Sequence, residues 1–93
     1  MFNTVEEIEI ANKNIGHHWF DKGTKRFFKS RIHSEVYGGK YFISSENTYD
    51  GRDRKFTIRM AHENGSISTV GEFQEFYTAA DARARINELL KGE

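Results

Sequence analysis

The sequence predicts a small α+β domain. Its expected core is a three-stranded antiparallel sheet in an α-β-β-β-α order, with room for a fourth short strand and with both terminal helices packed on one face. Three observations predict this: a capped amphipathic segment at each end, strand-like runs between residues 31 and 70, and Gly-Gly and Asn-Gly pairs where those runs must reverse.

Thr4-Val5-Glu6-Glu7 has the T-x-x-E form of a capping box, in which the Thr hydroxyl and the Glu carboxylate satisfy free backbone N–H groups at a helix start. Val5, Ile8, Ala11 and Ile15 follow at helical spacing and form one apolar face, and Gly16 suits the left-handed residue that ends a helix. A helix is expected over 5–15. His17-His18-Trp19-Phe20 is too short to show a period, and Trp19-Phe20 is the candidate for the fourth strand. Asp21-Lys22-Gly23 reads as a turn, and Thr24 can cap a short helical turn through Phe28.

Extended structure is expected from Arg31 to Tyr37 and from Lys40 to Ser45. Gly38-Gly39 between these runs forms a two-residue loop, since both positions tolerate positive φ. Residues 47–53 are a loop by composition. From Arg54 to Ala61 the pattern alternates, sending Phe56, Ile58 and Met60 one way and Lys55, Thr57 and Arg59 the other. Both Lys55 and Arg59 are therefore expected to be replaceable without touching the core. Asn64-Gly65 closes a second hairpin onto a strand over 66–70, and Gly71 marks a bulge or the strand's end. After an aromatic connector, Phe73 to Tyr77, Thr78 stands three residues before Asp81 and caps a helix near 79–90 whose Ala82, Ile86, Leu89 and Leu90 face the core.

Ninety-three residues make one domain, 1–93, and one core. Eight Phe, four Tyr and one Trp make that core aromatic. With no Cys, disulfides, thiolate metal sites and cysteine nucleophiles are excluded together, which fits a reducing cytoplasm. Glu6, Glu7 and Glu9 stand where a signal peptide needs positive charge, and no apolar run reaches the roughly 18 residues of a membrane span. A cytoplasmic protein is expected, with no membrane contact and no cofactor.

The four histidines, His17, His18, His33 and His62, have neither H-x-H nor H-x-x-x-H spacing, so no metal site is expected. No serine sits in a nucleophile elbow, no glycine run forms a phosphate-binding loop, and the paired carboxylates fall in a first helical turn or a loop where solvation explains them. The protein is read as a non-enzyme.

The net charge is zero, but residues 22–59 hold ten basic side chains against four acidic ones, a surplus of six balanced by acidic flanks. Basic and aromatic residues interleave in Lys25-Arg26-Phe27-Phe28-Lys29-Ser30-Arg31 and in Arg52-Asp53-Arg54-Lys55-Phe56-Thr57-Ile58-Arg59. The candidate contacts are Lys25, Arg31, Arg52, Arg54, Lys55 and Arg59, which could meet an acidic protein or nucleic-acid phosphates.

The strings Trp19-Phe20, Thr24 to Arg31, Tyr37-Gly38, Tyr41 to Glu46, Arg54 to Arg59 and Thr69 to Gln74 together resemble a family of small uncharacterised proteins carried by bacteriophages and other mobile elements, over residues 12–82. The resemblance carries no activity and no functional residues. It implies a phage context, in which small proteins often inhibit host or defence machinery, anti-CRISPR proteins among them. The resulting expectation is a non-enzymatic inhibitor of a host or defence protein complex. The alternative is a small nucleic-acid-binding accessory or regulatory domain.

Overall fold

The computed structural model describes residues 1–21, 30–48 and 51–92. The helical turn expected from Thr24 through Phe28, and Lys25 with it, lie outside the described residues. The described elements are α1 (Val5–Asn14), β1 (Arg31–Ile32), β2 (Tyr41–Asn47), β3 (Arg54–Ala61), β4 (Ile67–Val70) and α2 (Ala79–Lys91), and the strands form one antiparallel sheet in the order β1-β2-β3-β4. The α+β class therefore stands, in an α-β-β-β-β-α order. The fourth strand is Arg31–Ile32; Trp19 and Phe20 form a turn instead.

Both helices begin as their sequences dictate. The Thr4 hydroxyl accepts the Glu7 N–H while the Glu7 carboxylate accepts the Thr4 N–H, completing the capping box. Thr78 accepts the Asp81 N–H in the same way. The Gly-Gly loop is one residue longer than expected. Tyr37 and Tyr41 exchange backbone hydrogen bonds of 2.7 and 2.9 Å around Gly38, Gly39 and Lys40, and Gly39 sits at φ 76.

The layering differs from the expectation that both helices share one face. Tyr41 and Ile43 of β2 pack with Ile58 of β3 and with Ala82 and Ile86 of α2. Phe42, between them, points the other way and packs with Ile8 of α1, Phe20 and Ala61. The helices thus cover opposite faces. The physical reason is visible in Tyr41-Phe42-Ile43: side chains alternate along a strand, so three consecutive apolar residues are buried only if both faces are covered. Phe42 is fully buried, worth about 1.5–3 kcal/mol relative to an exposed ring. It stacks at 6.0 Å on Phe20 and meets the edge of Trp19 at 5.7 Å.

Cross-strand register runs from Tyr41↔Met60 to Asn47↔Arg54 between β2 and β3, and pairs Arg31 with Ser45 between β1 and β2. Beyond β4, Phe76 exchanges backbone hydrogen bonds with Phe56, so the aromatic connector extends the sheet edge. Within it, Gln74 adopts φ 57 and donates its N–H to the Thr57 hydroxyl at 2.8 Å and its amide to the Asn47 carbonyl at 3.0 Å. Those bonds hold the left-handed backbone in place.

Candidate binding surface

The sheet separates the expected basic contacts. Arg31 and Arg54 flank Ser45 on the face that α2 covers, since Arg31 is its cross-strand partner and Arg54 donates to its carbonyl at 2.7 Å and to its hydroxyl at 2.9 Å. Lys55 and Arg59 lie on the opposite face, as alternation requires. Arg52 is exposed in the loop joining β2 to β3, and Lys25 is outside the described residues.

Two residues outside the expected set complete the α2-side group. His33 lies one pleat beyond Arg31, donates its N–H to the Ile43 carbonyl at 2.9 Å, and meets the edge of Phe56 at 5.6 Å. Burial lowers its pKa, and the positive charges of Arg54 and Arg83 lower it further against the opposing charge of Glu46. The imidazole is therefore neutral at physiological pH. Arg83 comes from α2, beside the Ala82 and Ile86 positions that pack on the sheet, and is close enough to perturb both His33 and Tyr37. The Tyr37 phenol is pushed above its ordinary range, chiefly by burial and then by Glu35, whose carboxylate accepts its hydroxyl proton at 3.2 Å. Arg54 is held below its ordinary value by burial first and by Arg31 second, and remains a cation. Among the described residues, neither Arg31 nor Arg83 forms a salt bridge with a carboxylate.

Both missing residues carried a signal. Period-two alternation over Arg31-Ile32-His33 puts His33 beside Arg31, and helical spacing puts Arg83 on the flank of the apolar stripe, three residues before Ile86. The sequence alone does not say that α2 lies over that part of the sheet.

Arg59 does not belong to an open surface, contrary to the expectation from alternation. Its side chain is 12% exposed and reaches Glu46, itself 2% exposed, at 3.3 Å. Ser44 donates its hydroxyl to Glu46 at 2.6 Å and accepts from Arg59 Nε at 3.0 Å, Thr57 donates to the other Glu46 oxygen at 3.2 Å, and Thr69 accepts from Arg59. Trp19 and Phe73 lie 5.2 and 5.4 Å from the guanidinium. The polar half of this face is thus an internally satisfied network. Lys55 is occupied differently: its ammonium stands 4.7 Å over the ring of exposed Tyr77.

This arrangement offers cations and hydrogen-bond donors at one end of the α2 face. Among the described residues, no group of three His, Asp or Glu side chains gathers to hold a metal ion, and no helix is long and apolar enough to cross a membrane. A groove of about 470 Å³ lies at the other end of the sheet, between Met1, Phe2, Gly39, Met60 and His62. A family model described as a family of unknown function (DUF7447) matches residues 4–87. No curated protein and no solved structure matches the chain.

Proposed function

The chain belongs to that family of unknown function, and we propose that it is a non-catalytic binding protein that docks on an acidic surface of a host or defence protein complex and inhibits it. The docking half of this reading is supported by one observation: Arg31 and Arg54 meet at Ser45, and the charges of Arg54 and of Arg83 from α2 both reach the half-buried imidazole of His33. Like charges held together by a fold repel, and an anionic partner relieves that repulsion. The defence-complex half rests on the resemblance alone.

Nucleic acid is the weaker reading because of Lys55 and Arg59. Both would have continued a cationic rail along β3, and both are turned to the other face and engaged there. A compact cluster suits a local acidic site better than a repeating phosphate backbone.

The test is capture from infected or CRISPR-expressing bacterial lysate by the wild-type chain and by Arg31→Glu with Arg83→Glu. Both substitutions are on exposed side chains, so folding survives. The reading expects a captured protein complex that resists nuclease and is lost on charge reversal. Capture that disappears with nuclease, or that ignores the reversal, overturns it.

A further inference from the structure

We infer that the outer edge of β4 pairs with the same edge of a second copy of this chain, joining the two sheets across a two-fold axis at Ser68. This goes beyond the docking reading and does not depend on it. β4 is the last strand of the sheet. Hydrogen bonding along an antiparallel ladder alternates, so the register tells which way each backbone group points. His62 donates its N–H to the Ser66 carbonyl, and the same register continues with Met60 opposite Ser68 and Ile58 opposite Val70. Ala61, between His62 and Met60, donates its N–H to the Lys40 carbonyl on the other side of β3. Ser66, Ser68 and Val70 therefore bond inward to β3, while Ile67 and Thr69 direct their N–H and C=O groups outward. Among the described residues nothing bonds to those four outward groups.

The open groups are self-complementary. When Ile67 stands opposite Thr69 of an antiparallel second copy, and Thr69 opposite the Ile67 of that copy, all outward groups of both strands are satisfied by four hydrogen bonds. Ser68 then faces its counterpart on the axis. Other registers fail. Sliding the copy by one residue sets outward groups against inward ones. Sliding it by two brings in Gly65, whose N–H already donates to His62, or Gly71, where φ 75 turns the chain out of the ladder.

The side chains allow the approach. Ser66 to Val70 holds no charge and no proline, the residues that commonly keep strand edges apart, and Ile67, Thr69 and Val70 are β-branched. Pairing adds a neighbour to two half-buried apolar residues, setting Thr69 of the copy beside Ile67 on the α1 face and Ser66 of the copy beside Val70 on the α2 face. The opposite edge is guarded, since β1 has two residues and carries exposed Arg31. In the paired sheet that edge lies outermost in each half. An edge of this length buries little area, so the dimer is weak and depends on concentration.

The experiment uses the full chain in sedimentation equilibrium from about 10 μM to about 1 mM, where the mass is expected to climb toward twice that of the chain. The sequence has no cysteine, so Ser68→Cys introduces a single thiol. Facing residues of a non-hydrogen-bonded pair lie about 4.5 Å apart at Cα, within disulfide range. Mild oxidation should link this variant at least about tenfold faster than Asn87→Cys, on the exposed side of α2. Ser68→Lys and Ser68→Glu should each weaken association by about tenfold or more, through like charges on the axis, and an equal mixture of the two should recover it. The fold should survive, because the Ser68 side chain makes one exposed hydrogen bond, to His62; circular dichroism checks this. A monomer mass over the whole range overturns the inference and leaves the edge to an extended segment of another protein. Linkage of Ser68→Cys no faster than of Asn87→Cys, or a dimer indifferent to both charged variants, overturns it too. Should a charged variant fail to fold, the two cysteine variants decide the matter.

Discussion

Arg59 reaches diagonally from β3 past Ser44 to Glu46 on β2, and the 3.3 Å contact is closed over by the rings of Trp19 and Phe73. Two opposite charges are thus removed from water together, and each depends on the other. Breaking one side of such a pair leaves an uncompensated buried charge. Arg59→Met is expected to cost about 3–5 kcal/mol in urea unfolding, and Arg59→Glu with Lys55→Glu to lose the fold where Lys55→Glu alone does not. Restoring much of that loss by combining Arg59→Met with Glu46→Gln would confirm that the stranded carboxylate is the cause. Equal stability of Arg59→Met and wild type would refute the network.

Asn12 holds α1 to the sheet. Its amide donates to the Gly65 carbonyl at 2.9 Å and its oxygen accepts the Trp19 N–H at 3.2 Å, with the residue wholly buried. Asn12→Leu deprives both backbone groups of their partner and should cost about 1–3 kcal/mol per group left unsatisfied. The same contact explains Gly65, where φ is 99 and an added Cβ would stand 2.5 Å from the Ala11 carbonyl carbon. Gly65→Ala is expected to destabilise by about 2–4 kcal/mol, with α1 amides losing hydrogen-exchange protection before those of β3.

Gly39→Val tests the first hairpin. The residue sits at φ 76 and its Cβ would fall 2.7 Å from the end of the Met1 side chain and 2.9 Å from the Met1 Cβ, so the exposed first residue as a whole must shift to make room. The expected loss is therefore mainly backbone strain, about 1 kcal/mol or more, read as a fall in melting temperature. An unchanged melting temperature would contradict the turn.

His33 makes stability depend on pH in a stated direction. In the folded chain its pKa lies below the ordinary value of about 6.5, so between the two values the unfolded chain binds more protons. The His33 contribution is complete above about pH 6.5, declines as pH falls through that window, and changes no further below the folded value. His33→Gln should flatten that part of a urea-midpoint series taken from pH 7.5 to 5. A wild-type midpoint that rises on acidification would reverse the sign.

Local chemistry was enough for the helix starts, the strand over Arg54 to Ala61 and the turn at Asn64-Gly65, but not for the length of the first hairpin loop or for the strand at Arg31–Ile32, which is shorter than the extended run expected there. Thr4 with Glu7, and Thr78 with Asp81, are contacts within one helical turn, and the alternation of Arg54 to Ala61 is a property of the extended backbone itself. Such features are determined by residues adjacent in sequence, so the sequence alone contained them. It also contained the α+β class, because two capped helices around strand runs leave few other ways to bury the apolar positions. Which face each helix covers, the burial of Glu46 with Arg59, the buried position of Asn12 and the approach of Arg54 and Arg83 to His33 were decided by the tertiary structure. Each depends on groups brought together from separate elements. Alternation tells that Arg59 opposes Ile58, but a polar face becomes an interior only when Trp19, Phe73 and Gln74 arrive over it, and nothing local to β3 encodes their arrival.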